Sequence, residues 1–284
     1  MLPEAFHRTR YAPTPSGYLH LGNLYSFILT AILARDKKLE ILLRIDDLDR
    51  ERFRPAYLRN IFAVLHYFDL PWQQGPEDEQ DFEKNWSQLT RMALYKKALQ
   101  QLRTSGYLYA CSCSRSDQQQ NKLETGCVKG CRDAALDFDG PGVNWRFRTP
   151  EDPAFPIAMK DFIVRKKDGS PAYQLCSVID DLHLKVGWIV RGRDLVNSSI
   201  AQLALSNALE VPDYSQIMHF HHALLLGNSG NKLSKSAGSD SLQSMIQNGL
   251  SAEDILSLLA RQLGIHRRIS HWSAFDWDEL TINL

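Results

Sequence analysis

Short apolar runs alternate along this chain with turn-forming clusters and with longer stretches of helical period. Arg10-Tyr11-Ala12 reads as the close of a buried strand, Pro13, Pro15 and Gly17 turn the backbone, and the apolar run Leu24 to Leu33 reads as the helix that follows. Glu40 to Ile45 is a second short apolar strand, running into Asp46, Asp47 and Asp49 among Arg44, Arg50 and Arg52. Apolar spacing over Pro55 to Leu70 and Trp86 to Leu102 predicts two amphipathic helices, with Trp72 and nearby aromatics as core or loop anchors. After Pro141 come short strands at Val143 to Arg148 and Lys160 to Arg165, the second ending in the hairpin signal Lys166-Lys167-Asp168-Gly169. Tyr173 reads as a half-buried strand aromatic. Val190 to Leu195 ends a strand and opens a helix, with Asp194 placed to cap it. Ala223 to Leu226 is a further strand, and helices are expected near Ser241 to Gln247 and Ala252 to Leu263.

The alternation predicts an α/β fold built on a parallel sheet. Ligands of such sheets collect outside the carboxyl ends of the strands, where helix N-termini and small residues admit phosphates. The first strand-turn-helix unit, with His20 and Gly22 at its turn, is therefore the expected ATP site.

Composition adds limits. At 284 residues and 44% apolar content, the chain can bury one large core or two modest ones. Its 33 basic and 33 acidic residues cancel, so any nucleic-acid contact must come from a local basic patch. No signal peptide or membrane-length apolar run is present, and a cytoplasmic protein is expected. No repeat or low-complexity tract occurs apart from Gln118-Gln119-Gln120-Asn121.

Four of the five cysteines fall in one segment, as Cys111-Ser112-Cys113 and Cys127-Val128-Lys129-Gly130-Cys131. Two close pairs supply four ligands for a tetrahedral zinc ion, and a site filled by protein ligands is structural rather than catalytic. Disulfides are the alternative, disfavoured by the expected compartment. Cys176, in an apolar context, reads as a buried small side chain.

His20-Leu21-Gly22-Asn23 alone is a weak motif, but it has a partner downstream. Asn231-Lys232-Leu233-Ser234-Lys235-Ser236-Ala237-Gly238 places two lysines in a glycine- and serine-rich loop suited to polyphosphate. In this order the two segments resemble the HIGH and KMSKS signatures of class I aminoacyl-tRNA synthetases. That resemblance implies ATP contacts from Pro13, His20, Gly22, Asn23 and Lys235, catalytic charge stabilisation by His20, Lys232 and Lys235, and Mg²⁺ accompanying the ATP. In glutamyl-tRNA synthetases a Glu holds the substrate's amino group, and here Asp46 stands at that position. Arg10, Thr14 and Tyr173 match further glutamate contacts, and Arg191 matches the arginine that pairs the side-chain carboxylate. Gln174 departs from the family's Asn, and His222-Ala223 replaces Leu-Pro.

The cysteine segment narrows the resemblance to the glutamyl-queuosine tRNA(Asp) synthetases, short paralogues that bind zinc through a Cys-x-Cys pair, a Tyr and a further Cys. Cys127 stands near where the Tyr is expected. The resemblance divides the chain into residues 1–104 and 186–238 as two halves of a Rossmann-type catalytic domain, 105–185 as a zinc-containing insertion, and 239–284 as a short helical end. Only 48 residues follow Ser236, which leaves no room for the anticodon-binding domain of a full glutamyl-tRNA synthetase. The implied partners are ATP, glutamate and tRNA(Asp) carrying queuosine, with a monomer expected. A truncated glutamyl-tRNA synthetase, another adenylate-forming enzyme and a non-catalytic RNA-binding paralogue remain as alternatives.

Overall fold

A computed structural model of the chain describes residues 6–114, 116–117, 126–225 and 241–281. Strand β1 (Arg8–Tyr11) runs parallel to β2 (Glu40–Leu43), with Arg8 opposite Glu40 and Tyr11 opposite Leu43. Between them α1 (Leu21–Lys37) buries every residue from Phe27 to Ala34, because it is apolar nearly all round and packs on β1 and β2. It stops where Lys38 takes a left-handed conformation, φ 55°. Helix α2 (Pro55–Tyr67) begins on Pro55, whose fixed φ and missing N–H suit a first helical position, and buries Leu58, Ile61, Phe62, Val64 and Leu65.

The next helix starts later than its apolar spacing predicts. Phe82–Trp86 is a wide helical turn, Gln88–Arg91 a tight one, and α3 runs only over Met92–Thr104. The interruption has a tertiary cause: Ser87 Oγ donates to Asp47 Oδ2 at 2.6 Å and the Gln88 N–H to Asp47 Oδ1 at 2.8 Å. Strands β3 (Leu108–Cys111), β4 (Asn144–Phe147) and β5 (Ile163–Arg165) form an antiparallel sheet in that order.

Tyr173 opens α4 (Tyr173–His183), where the sequence suggested a strand. The segment buries Leu175, Cys176 and Val178 on one helical face, a period that its short apolar run disguises. Strand β6 (Trp188–Gly192) leads through a tight turn at Arg193–Leu195 into α5 (Val196–Ala208). Asp194 lies inside that turn; the cap position of α5 is Leu195, with no side-chain capping bond. Strand β7 (Met218–His222) pairs in parallel with β6, Gly192 opposite His222. The strand expected at Ala223 to Leu226 is not found there: β7 ends at His222, Ala223 to Leu225 are not in a strand, and Leu226 lies outside the described residues. Helices α6 (Leu242–Gln247), α7 (Ala252–Gln262) and α8 (Trp277–Thr281) complete the chain, α6 and α7 where the sequence placed them.

The two parallel ladders meet through β1 and β6. Arg8 bridges Val186 in parallel sense, and the Gly187 N–H donates to Arg8 O at 2.9 Å, so the strand order is β2-β1-β6-β7. Gly187 is required by proximity: a Cβ there would lie 2.1 Å from Phe6 O. The described chain forms two compact units. One takes in the described residues of 6–90, 186–194, 218–225 and 241–281 and holds the parallel sheet; the other takes in the described residues of 91–185 and 195–217 and holds the antiparallel sheet, α3, α4 and α5. No helix among the described residues is long and apolar enough to cross a membrane.

Candidate active site

The turn between β1 and α1 is held by the residues it presents. Ser16 N–H donates to Thr14 O at 2.8 Å, closing a tight bend after Pro13. His20 is the N-cap of α1, and its Nδ1 accepts from Gly22 N–H at 3.1 Å, which leaves the neutral ring's hydrogen on Nε2. Asn23 returns the favour, its Oδ1 accepting the His20 N–H at 3.0 Å. A Cβ at position 22 would stand 2.9 Å from His20 Cε1, so glycine makes room for the ring. Two of the four residues of this tetrapeptide thus orient its histidine.

The sheet delivers charge to the same ends of its strands. Arg10 on β1 and Arg191 on β6 are each 5% exposed. Past β2 the ladder continues, with the Arg44 N–H on Tyr11 O and the Asp46 N–H on Pro13 O, both at 2.9 Å. Asp46, 8% exposed, is gripped by Arg44, Nε to Oδ1 at 2.8 Å and Nη2 to Oδ2 at 3.1 Å. Sequence reasoning missed this pair, although two residues apart beyond a strand is a legible spacing for it. Asp47 turns the other way, to Ser87, Gln88 and Arg50. On β7, burial and then the Arg191 charge hold the His221 imidazole below its ordinary value.

Lys232 and Lys235 lie outside the described residues, as does the whole of 226–240. The residues on either side of that stretch both reach α1. Before it, His222 accepts from Ser26 of α1 at 2.6 Å and Leu225 enters the hydrophobic core. After it, Ser241 bridges His20, and Leu242 N–H donates to Leu19 O at 2.8 Å. The described residues that flank 226–240 therefore lie against α1 and the histidine turn before it.

In the second unit Tyr173 is 43% exposed at the start of α4. The next residue is wholly engaged inside: Gln174 Nε2 donates to Ser198 Oγ at 3.0 Å, Gln202 Nε2 donates to Gln174 Oε1 at 2.9 Å, and Tyr214 OH donates to Gln202 Oε1 at 3.2 Å. Gln174, whose departure from the Asn implied by the resemblance left its role open, is thus part of a buried polar network.

The cysteines of the same unit converge. The Sγ atoms of Cys111, Cys113, Cys127 and Cys131 all lie within 4.8 Å of one another, and none is in a disulfide. Cys113 is 3.7 Å from Cys127 and 4.0 Å from Cys131. Four thiolates at about 2.3 Å from one ion stand roughly 3.8 Å apart, so this is the edge of a tetrahedral site. Cys131 N–H donates to Cys127 Sγ at 3.1 Å. Burial raises the Cys111 thiol to about 12, whereas at Cys131 hydrogen bonds from Ser112 overcome burial and draw the thiol down to about 7. The four residues fit a closed structural metal centre.

Parallel strands with a capped histidine turn and buried charges at their carboxyl ends define an α/β enzyme whose ligands bind beyond those ends. The chain belongs to the class I tRNA synthetases (E and Q), catalytic domain, which it matches over residues 7–133 and 150–270. It is a ligase-type enzyme. Among its relatives is the glutamyl-Q tRNA(Asp) synthetase of Parasynechococcus marenigrum (strain WH8102), 38% identical over 265 residues, spanning 92% of this chain and 84% of the relative. Glutamate-tRNA ligase 2 of Syntrophus aciditrophicus (strain SB) is 30% identical over 280 residues, spanning 89% of this chain and 56% of the ligase. The crystal structure of glutamate-tRNA synthetase from Elizabethkingia anophelis has the same fold, with a TM-score of 0.76 and 21% identity over 96% of this chain and 66% of that one.

Proposed function

We propose that the enzyme activates glutamate with ATP and transfers the glutamyl group to queuosine at the wobble position of tRNA(Asp). Arg191 carries the amino-acid reading. A buried guanidinium at a strand end is a planar, permanently charged fork suited to a carboxylate, which favours glutamate over glutamine. Likeness to the relative named glutamyl-Q tRNA(Asp) synthetase, over most of both chains, supports the acceptor.

In the first step the glutamate α-carboxylate attacks the α-phosphorus of ATP and pyrophosphate leaves. The protein positions reactants and stabilises charge; it forms no covalent bond. His20, oriented by Gly22 and Asn23, and Lys232 and Lys235 serve the phosphates, with Pro13 lining the turn and Mg²⁺ accompanying the pyrophosphate. Arg10, Thr14, Tyr173 and Arg191 hold glutamate, and Asp46 receives its ammonium on the carboxylate lone pairs that Arg44 leaves. In the second step a hydroxyl of the queuosine cyclopentenediol attacks the adenylate carbonyl and releases AMP. Zinc on Cys111, Cys113, Cys127 and Cys131 stabilises the second unit without entering either step. A monomer acting in the cytoplasm completes the reading.

The test is transfer of labelled glutamate to tRNA pools from cells grown with and without queuosine, followed by nuclease separation of anticodon fragments from 3′ ends. Label in anticodon fragments of the queuosine pool alone is expected. Equal labelling of 3′ ends in both pools would make the enzyme a glutamyl-tRNA ligase, the reading favoured by its likeness to the Syntrophus ligase.

A further inference from the structure

No step above uses His222, a buried imidazole only 4% exposed. Its Nδ1 stands 2.8 Å from Ala223 O, an atom that can only accept, so Nδ1 carries a hydrogen. In the neutral ring Nε2 is then an acceptor, a tautomer assigned from this network, and Ser26 Oγ donates to it across 2.6 Å. Ser26 lies on α1 one turn beyond Gly22, and its Oγ is also 3.2 Å from Gly22 O. The Tyr25 ring closes over the imidazole edge-on, centroids 4.7 Å apart. Gly22 is the residue whose N–H fixes the His20 ring. His222 ends the last strand before the lysine-bearing stretch.

We propose that His222 is a positioning residue for ATP binding: neutral, it clasps Ser26 and ties the His20 turn to the strand that leads into the lysine segment, and protonation reverses the clasp. The atoms dictate the reversal. An imidazolium has hydrogens on both nitrogens, so Nε2 must donate to Ser26 Oγ, and the Ser26 hydrogen is driven onto Gly22 O, beside the peptide that orients His20.

The groups facing the ring decide where the switch falls. Asp194, from the turn after β6, favours the charged form; Tyr25 from α1 contributes an aromatic edge, its hydroxyl spent on Leu280 O. Along β7 the neighbours are His219 and His221, and Arg191 on β6 acts on His221. Burial outweighs the Ala223 carbonyl and Asp194 and holds His222 below its ordinary value, so the clasp is intact at neutral pH and fails only at a pH below the ordinary imidazole range.

The inference rests on the reading of the His20 turn as an ATP site, and its test separates the two. Dissociation constants for ATP are measured by calorimetry from pH 5.5 to 8 for the wild type, Ser26→Ala, His222→Leu and His222→Gln, alongside glutamate-dependent pyrophosphate exchange. Loss of one buried hydrogen bond corresponds to about fivefold weaker ATP binding in Ser26→Ala and His222→Leu, with the KM for glutamate unmoved. His222→Gln, whose amide oxygen can stand where Nε2 stands, restores affinity and abolishes the acid limb of the wild type. Wild-type affinity in Ser26→Ala, or an acid limb shared by the wild type and His222→Gln, would overturn the proposal; Ser26→Ala decides should His222→Leu not fold. ATP binding with this pH dependence but without glutamate-dependent exchange upholds the clasp and removes the glutamate reading. A wild type that binds no ATP removes both.

Discussion

Arg44 straddles the Asp46 carboxylate with two hydrogen bonds, 2.8 and 3.1 Å long, in a setting where the arginine side chain is 2% exposed. The aspartate proposed to receive the substrate ammonium is thus held in place before any ligand arrives. Replacing Arg44 by Met strands a buried carboxylate, at a cost of roughly 3 kcal/mol from such pairs. Urea denaturation should register that loss, and glutamate binding should weaken with it. Asp46→Asn keeps the shape but removes the charge, so it should raise the KM for glutamate and, by leaving the buried Arg44 guanidinium without its counter-charge, lower stability as well.

Arg191 makes the sharpest call on substrate identity. Arg191→Gln should raise the KM for glutamate about 100-fold, the scale of a lost charge-assisted pair, and leave the KM for ATP unchanged in pyrophosphate exchange. A fall in kcat at unaltered glutamate KM would assign this arginine elsewhere.

The cysteine cluster should yield one zinc per chain by mass spectrometry of the purified protein. Cys113→Ser, or treatment with a strong chelator, should lower the melting temperature of the unit formed by 91–185 and 195–217 by removing both the metal and its cross-link. Metal-free protein of unchanged melting temperature would make the four thiols a plain reduced core.

Gly187→Ala should be among the most damaging single methyl groups that can be added. Backbone at Phe6 would meet the new Cβ at 2.1 Å, and relief requires parting β1 from β6 where Gly187 N–H joins Arg8 O. A loss of more than about 2 kcal/mol, read from chemical denaturation, is expected.

Gln174 completes a chain of buried amides and hydroxyls through Ser198, Gln202 and Tyr214. Gln174→Leu leaves Gln202 without one acceptor and should cost about 1–3 kcal/mol; Gln174→Asn, too short to span the same gap, should cost a similar amount. Equal stability of both variants with wild type would show that water fills the gap.

Much of this molecule is written locally. The strand-turn-helix at the N-terminus, β2 with its acidic end, α2, α6, α7 and the paired cysteines are legible because each depends on neighbours within a few residues: apolar period, a proline at a helix start, ligand spacing. Where local signals compete, distant partners decided. The helix expected from Trp86 starts at Met92 because Ser87 and Gln88 answer to Asp47, some forty residues away. The Tyr173 segment is too short for its period to distinguish helix from strand, and packing made it α4.

By itself the sequence determined the α/β class, the parallel ordering of polar strand ends, the residue types available for phosphate, carboxylate and zinc, and the family those types resemble. Tertiary structure alone decided that Asp47 draws Ser87 and Gln88 out of the helix, that Gly187 of β6 meets Arg8 of β1, and that Ser26 meets His222 across a separation of 196 positions. The reason is physical: period and turn chemistry act between near neighbours, whereas a hydrogen bond between residues far apart exists only once the sheet has brought their strands and helices together.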